Sequence, residues 1–148
     1  MSKCMIAFDV SGSIPPDVAE RGIRKAEEIA RLLGFTRAVY YTFDTEIRGE
    51  VEAEFTGRWP FKENIGGGGT ILECVFDRLK RWAPPGPGLL IVASDFCCDF
   101  PKASPFATMT TIWLDVSGEI LPIVGKPPFG LRVVLPMPKK PTKKGVKR

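Results

Sequence analysis

Three short stretches of the chain carry oxygen donors whose types and spacing suit a hard cation. The first is Asp9-Val10-Ser11-Gly12-Ser13, where an apolar run closes on a carboxylate and two hydroxyls follow at i+2 and i+4. The second is Gly66-Gly67-Gly68-Gly69-Thr70, in which four glycines permit close backbone approach to a ligand before a third hydroxyl arrives. The third is Ser94-Asp95, again at the end of an apolar run. Mg²⁺ prefers oxygen, keeps several waters and takes few carboxylates, so Asp9, Ser11, Ser13, Thr70 and Asp95 form a plausible donor set. Taken alone, the first stretch also reads as a nuclease carboxylate or as helix-capping residues.

Other chemistries are excluded by what the chain lacks. It has 0 histidines, which removes HExxH metalloproteases, Ser-His-Asp and Cys-His hydrolases, and histidine acid–base catalysis. No Gly-Lys-Ser/Thr follows the glycine run, so it is not a phosphate-cradling P-loop. Cys4, Cys74, Cys97 and Cys98 form no CxxC pair, and adjacent Cys97 and Cys98 are poorly placed to chelate one zinc ion; they are expected to be small buried hydrophobes. Asp44 and Asp99 read as turn residues, and Asp115 and Glu119 as loop residues.

The elements that must position these donors follow from hydrophobic patterning. Cys4–Val10 is a nearly continuous apolar strand, which suits the buried centre of a parallel sheet. Pro15-Pro16-Asp17 opens a helix whose Val18, Gly22, Ile23, Ala26, Ile29, Ala30 and Leu33 share a face, with Glu27 among the charged residues opposite. Gly34 closes it. Arg37–Phe43 is a second strand, Asp44-Thr45 a turn, and Ile47–Phe55 an alternating hairpin partner at a sheet edge. Thr56–Ile65 is an irregular loop whose Trp59, Pro60 and Phe61 read as packing on the loop itself, with a binding lip as the alternative. A second helix buries Leu72, Val75, Phe76, Leu79 and Trp82 before Pro84-Pro85-Gly86-Pro87-Gly88 breaks it. Leu89–Ala93, Thr110–Leu114 and Leu131–Leu135 complete the strands. The order β-α-β-β-α-β-β-β predicts an α/β fold, and in such sheets ligands bind beyond the carboxyl ends of the strands, where Asp9 and Asp95 fall.

With 148 residues, 44% of them hydrophobic and 26% charged, the chain is expected to form one globular domain over 1–135. The remainder, 136–148, reads as a basic, Pro/Lys-rich flexible tail. Its last ten residues hold six positive charges, so the net charge of +4 conceals a body with 15 basic against 17 acidic residues. Such a tail is chiefly a solvated element, with nucleic acid a less favoured partner. No apolar run approaches the roughly 18–20 residues of a membrane span, and no signal-peptide pattern opens the chain, which points to the cytoplasm and to no membrane partner.

The combination Asp9-x-Ser11-x-Ser13, Gly69-Thr70 and Ser94-Asp95 resembles the metal-ion-dependent adhesion site (MIDAS) of von Willebrand factor A-like (VWA) domains. The likeness extends to about Leu135. It is greatest to the VWA-like domain at the C-terminus of bacterial metallopeptidases, through Gly66–Thr70, Ile91–Pro101, Ile112-Trp113 and Phe129-Gly130. The resemblance implies a Rossmann-like fold: a mostly parallel central sheet with one antiparallel edge strand and helices on both faces. It also implies that Ser11 and Ser13 ligate Mg²⁺ or Mn²⁺ directly, that Thr70 binds directly or through water, and that Asp9 and Asp95 act largely through bridging waters. Phe96 stands where the family usually has glycine, which points to a different local loop.

The implied function is non-enzymatic, a bacterial or phage protein-binding module whose metal captures a partner's carboxylate. The resemblance names a MoxR-type AAA+ ATPase or a metallopeptidase-like protein as partner. The alternative is a divalent-metal-dependent nuclease or phosphatase using Asp9, Asp95 and Asp99. The helix directly after the first strand argues against an RNase H-like nuclease, and Ser11 stands where a haloacid-dehalogenase phosphatase needs a second aspartate.

Overall fold

A computed structural model describes residues 2–12, 14–61, 66–117 and 127–135. The elements run β1 (Cys4–Asp9), α1 (Pro16–Leu32), β2 (Arg37–Phe43), β3 (Ile47–Glu54), α2 (Glu73–Leu79), β4 (Leu89–Ser94), β5 (Thr110–Asp115) and β6 (Leu131–Val134). The six strands form one sheet in the order β3-β2-β1-β4-β5-β6, parallel throughout except for the β2–β3 hairpin at one edge. This is the doubly wound α/β arrangement expected from the element order. Ser13, Glu119 and the tail 136–148 lie outside the described residues, as does the end of the Thr56–Ile65 loop.

The continuous apolar character of β1 and β4 has a direct structural cause: both strands are buried on both faces. Successive side chains alternate between the faces. Cys4, Ile6 and Phe8 pack with Ile23, Ala26 and Ala30 of α1, whereas Met5 and Ala7 pack with Val75, Phe76 and Leu79 of α2. The two helices therefore cover opposite faces. Each such fully buried aliphatic or aromatic side chain contributes about 1.5–3 kcal/mol. Pro16 occupies the first turn of α1 and Asp17 its positive end. At the other end Gly34 takes φ 94°, a left-handed turn in which Phe35 N–H reaches Ala30 O at 3.0 Å.

Four expectations need correction. Helix α2 stops at Leu79, and Trp82 follows in a turn held by its N–H on Leu79 O at 3.0 Å. The ring still packs against the α2-side core. Glu27, assigned by spacing to the charged face of α1, is buried; it accepts a hydrogen bond from Tyr40 Oη at 2.5 Å and another from Gly57 N–H at 2.8 Å. Asp115 is not a loop residue but the fully buried end of β5, paired with Arg132 of β6. Of the cysteines only Cys4 is buried; Cys74 and Cys98 are half-buried and Cys97 is exposed, all as free thiols. Among the described residues, no helix is long and apolar enough to cross a membrane.

Candidate metal centre

The strand order reverses between β1 and β4, and the carboxyl edge beside that reversal is where doubly wound sheets receive ligands. Asp9 ends β1 there and Ser94 ends β4. Asp9 is only 2% exposed, and a buried carboxylate is tolerated when it is well hydrogen-bonded. Its Oδ1 accepts Ser11 N–H at 2.7 Å, and its Oδ2 accepts the Ser94 hydroxyl at 2.7 Å and the Thr70 hydroxyl at 3.1 Å. One carboxylate thus collects groups from all three of the donor-bearing stretches.

The glycine run delivers Thr70 by lying against the segment after β1. Gly67 N–H donates to Val10 O at 2.9 Å, and Gly12 N–H donates back to Gly68 O at 3.2 Å. At Gly66 a β-carbon would sit 2.5 Å from Val10 O, so no other residue fits that approach. Asp44 holds the far side of the loop. Its Oδ2 accepts Gly68 N–H at 3.3 Å, and its backbone carbonyl accepts Ile71 N–H at 2.9 Å. Its Oδ1 takes Arg48 Nε at 2.8 Å and Thr45 N–H at 2.6 Å. Burial pushes the Asp44 carboxyl up, but the Arg48 bond and the backbone donors outweigh it, leaving the group below the usual carboxylate value. Asp44 is a turn residue, as its sequence context indicates, and also the clamp on the glycine loop.

Beyond β4, Asp95 is half-buried and its Oδ1 accepts Cys97 N–H at 3.2 Å. Phe96 adopts φ 56°, the left-handed conformation glycine favours, so the loop keeps a glycine-like backbone despite the bulky residue. The Cys98 thiol, raised to about 12 chiefly by burial, is pushed further by Asp9 and Asp95. Cys97 is raised by burial and then by Asp95, with Asp115 and Asp9 adding to it. Both thiols thus lie within electrostatic reach of the two carboxylates.

Four of the five candidate ligands are described, and Asp9, Ser11 and Thr70 are joined by direct hydrogen bonds. Asp95 belongs to the same edge through its neighbour Ser94, whose role the donor count overlooked; a hydroxyl closing an apolar strand beside an aspartate was the available signal. Ser13 lies outside the described residues. Asp99 is exposed. Among the described residues no group of three or more His, Cys, Asp or Glu could hold a metal ion, so Asp9, Asp95 and Asp99 make no carboxylate triad. An all-oxygen set of two carboxylates and hydroxyls fits Mg²⁺ or Mn²⁺ in donor chemistry. An open groove of about 1160 Å³ lies elsewhere, beside the start of β1 and the end of α2; its Arg78 and Glu50 pair with each other at 2.5 Å.

Neither a family model nor a curated protein matches the chain. Among solved structures, the chain has a distant likeness to an aerotolerance-related membrane protein from Bacteroides fragilis NCTC 9343 with multiple mutations to serines. It is 16% identical, with a TM-score of 0.49, over 77% of this chain and 67% of that one.

Proposed function

We propose that the protein is a metal-dependent protein-binding module of the VWA type, holding Mg²⁺ or Mn²⁺ through Asp9, Ser11, Ser13, Thr70 and Asp95. The observation that carries this reading is the convergence on Asp9 of hydroxyls from Thr70 and Ser94, 61 and 85 residues away. The motif resemblance supplies the rest. When bound, the ion offers an electrophilic position that a carboxylate from a partner protein fills. The chain's own residues hold the site: Asp9 organises the hydroxyls, Asp44 fixes the glycine loop, and Asp95 adds charge. By the same resemblance, an acidic segment of a MoxR-type AAA+ ATPase is the first partner to try.

The test is isothermal titration of Mg²⁺ into wild-type, Asp9→Ala and Ser11→Ala proteins, with circular dichroism to confirm folding. Loss of binding in both variants is expected. Affinity unchanged from wild type in both would overturn the proposal.

A further inference from the structure

We propose that Phe96 is a positioning residue for Asp95, an inference that rests on the metal reading above. A bulky side chain rarely occupies the left-handed region, because its β-carbon crowds the backbone. Phe96 is held there at φ 56° by its surroundings. Its ring is 2% exposed, stacked on Phe100 at 5.4 Å and edge-on to Trp113 at 5.8 Å. Trp113 is itself fixed, with Nε1–H donating to Phe129 O at 2.6 Å. The Phe96 N–H donates to Ser94 Oγ at 2.9 Å, and that same hydroxyl donates to Asp9. Asp95 thus stands between two buried, tethered residues.

Glycine would adopt this backbone without strain but would have nothing to keep it there. The ring converts a loop that could sample many conformations into one with a set direction, and strain held by packing is a recurring device at binding sites. The consequence is that Asp95 is preorganised before any ion arrives, which lowers the ordering cost of binding.

Two readouts test this. The first is metal-free: NMR amide exchange of Cys97, whose N–H is bonded to Asp95 Oδ1. The second is Mn²⁺ affinity by electron paramagnetic resonance. Phe96→Gly is expected to speed Cys97 exchange and weaken Mn²⁺ binding by about tenfold or more, the usual scale for supports behind a ligand. Phe96→Leu, which keeps an apolar anchor, is expected to recover most of both. Should Phe96→Gly fail to fold, Phe100→Leu, which removes the ring stacked on Phe96, carries the test through a loss of Cys97 protection relative to wild type. Wild-type exchange and affinity in Phe96→Gly, or in Phe100→Leu where it replaces that variant, would overturn the proposal. Wild-type protein that binds no Mn²⁺ would overturn the metal reading instead, and Cys97 exchange would then decide the role of Phe96 by itself.

Discussion

The Ser94 hydroxyl donates a 2.7 Å hydrogen bond to Oδ2 of Asp9, tying the carboxyl ends of β4 and β1 together across 85 residues of sequence. Both side chains are buried, so the bond is shielded from water. Ser94 Oγ also accepts Phe96 N–H, and one hydroxyl therefore joins the Asp9 carboxylate to the loop that carries Asp95.

Ser94→Ala removes both bonds. A hydrogen bond to a charged acceptor is worth about 1.5–3 kcal/mol, and Asp9 keeps Ser11 N–H and the Thr70 hydroxyl in the variant. The expected loss is therefore about 1.5–3 kcal/mol, read as a lowered urea midpoint at unchanged slope. A midpoint equal to wild type would show that the Ser94 bond contributes nothing net.

Asp44 gives a pH prediction. Its carboxyl lies below the ordinary value of 3.8 in the folded protein: burial works against ionisation, and the Arg48, Glu46, Thr45 and Gly68 bonds overcome it. A depressed folded value means the unfolded chain takes up the proton first as pH falls. The contribution is then fully present above pH 3.8 and is lost as pH drops through the lower folded value. Asp44→Asn should accordingly lose stability at pH 7 and show a shallower decline in stability below about pH 4 than wild type. It should also speed amide exchange at Gly68, whose N–H bonds Asp44 Oδ2. Parallel stability–pH curves for the two proteins would contradict the assignment.

The strands were legible because β1 and β4 are buried on both faces, and such burial writes an unbroken apolar run. The antiparallel edge was legible for the opposite reason: β3 alternates half-buried and exposed residues, so Val51 and Ala53 mark the α1-side face, while a bulge opposite Phe43 turns Ile47 to the α2 side. What escaped were polar residues whose partners come from other elements. Nothing local distinguishes Glu27 from Glu28 on α1, yet Tyr40 of β2 and Gly57 of a later loop bury it. Asp44 looks like any turn aspartate until the glycine loop is brought against it from 24 residues away. The end of α2 was misplaced because Trp82 continues the helical spacing from Leu79 while the chain has already left the helix. In the site, the donor types were visible in sequence; the convergence on Asp9 is a product of the strand order.

The last buried carboxylate of the sheet, Asp115, tests how the edge beside the site is held. Its Oδ2 takes Nε of Arg132 at 3.1 Å and also Nη2, while Oδ1 accepts Ser117 N–H at 2.9 Å. The strand end is also tied by its backbone, with Val116 N–H on Ser94 O at 3.0 Å and Leu135 N–H on Asp115 O at 2.8 Å. Removing the guanidinium leaves a fully buried charge without its counter-ion, which costs about 3–5 kcal/mol, whereas replacing both partners with apolar groups avoids the desolvation penalty. Arg132→Met should thus be strongly destabilising in urea unfolding, and the double variant Asp115→Leu/Arg132→Met should recover most of the loss. The gap between the double variant and the sum of the single ones measures the coupling. Additive losses would mean that the ion pair is incidental and that the backbone bonds hold the β4–β5–β6 edge without it.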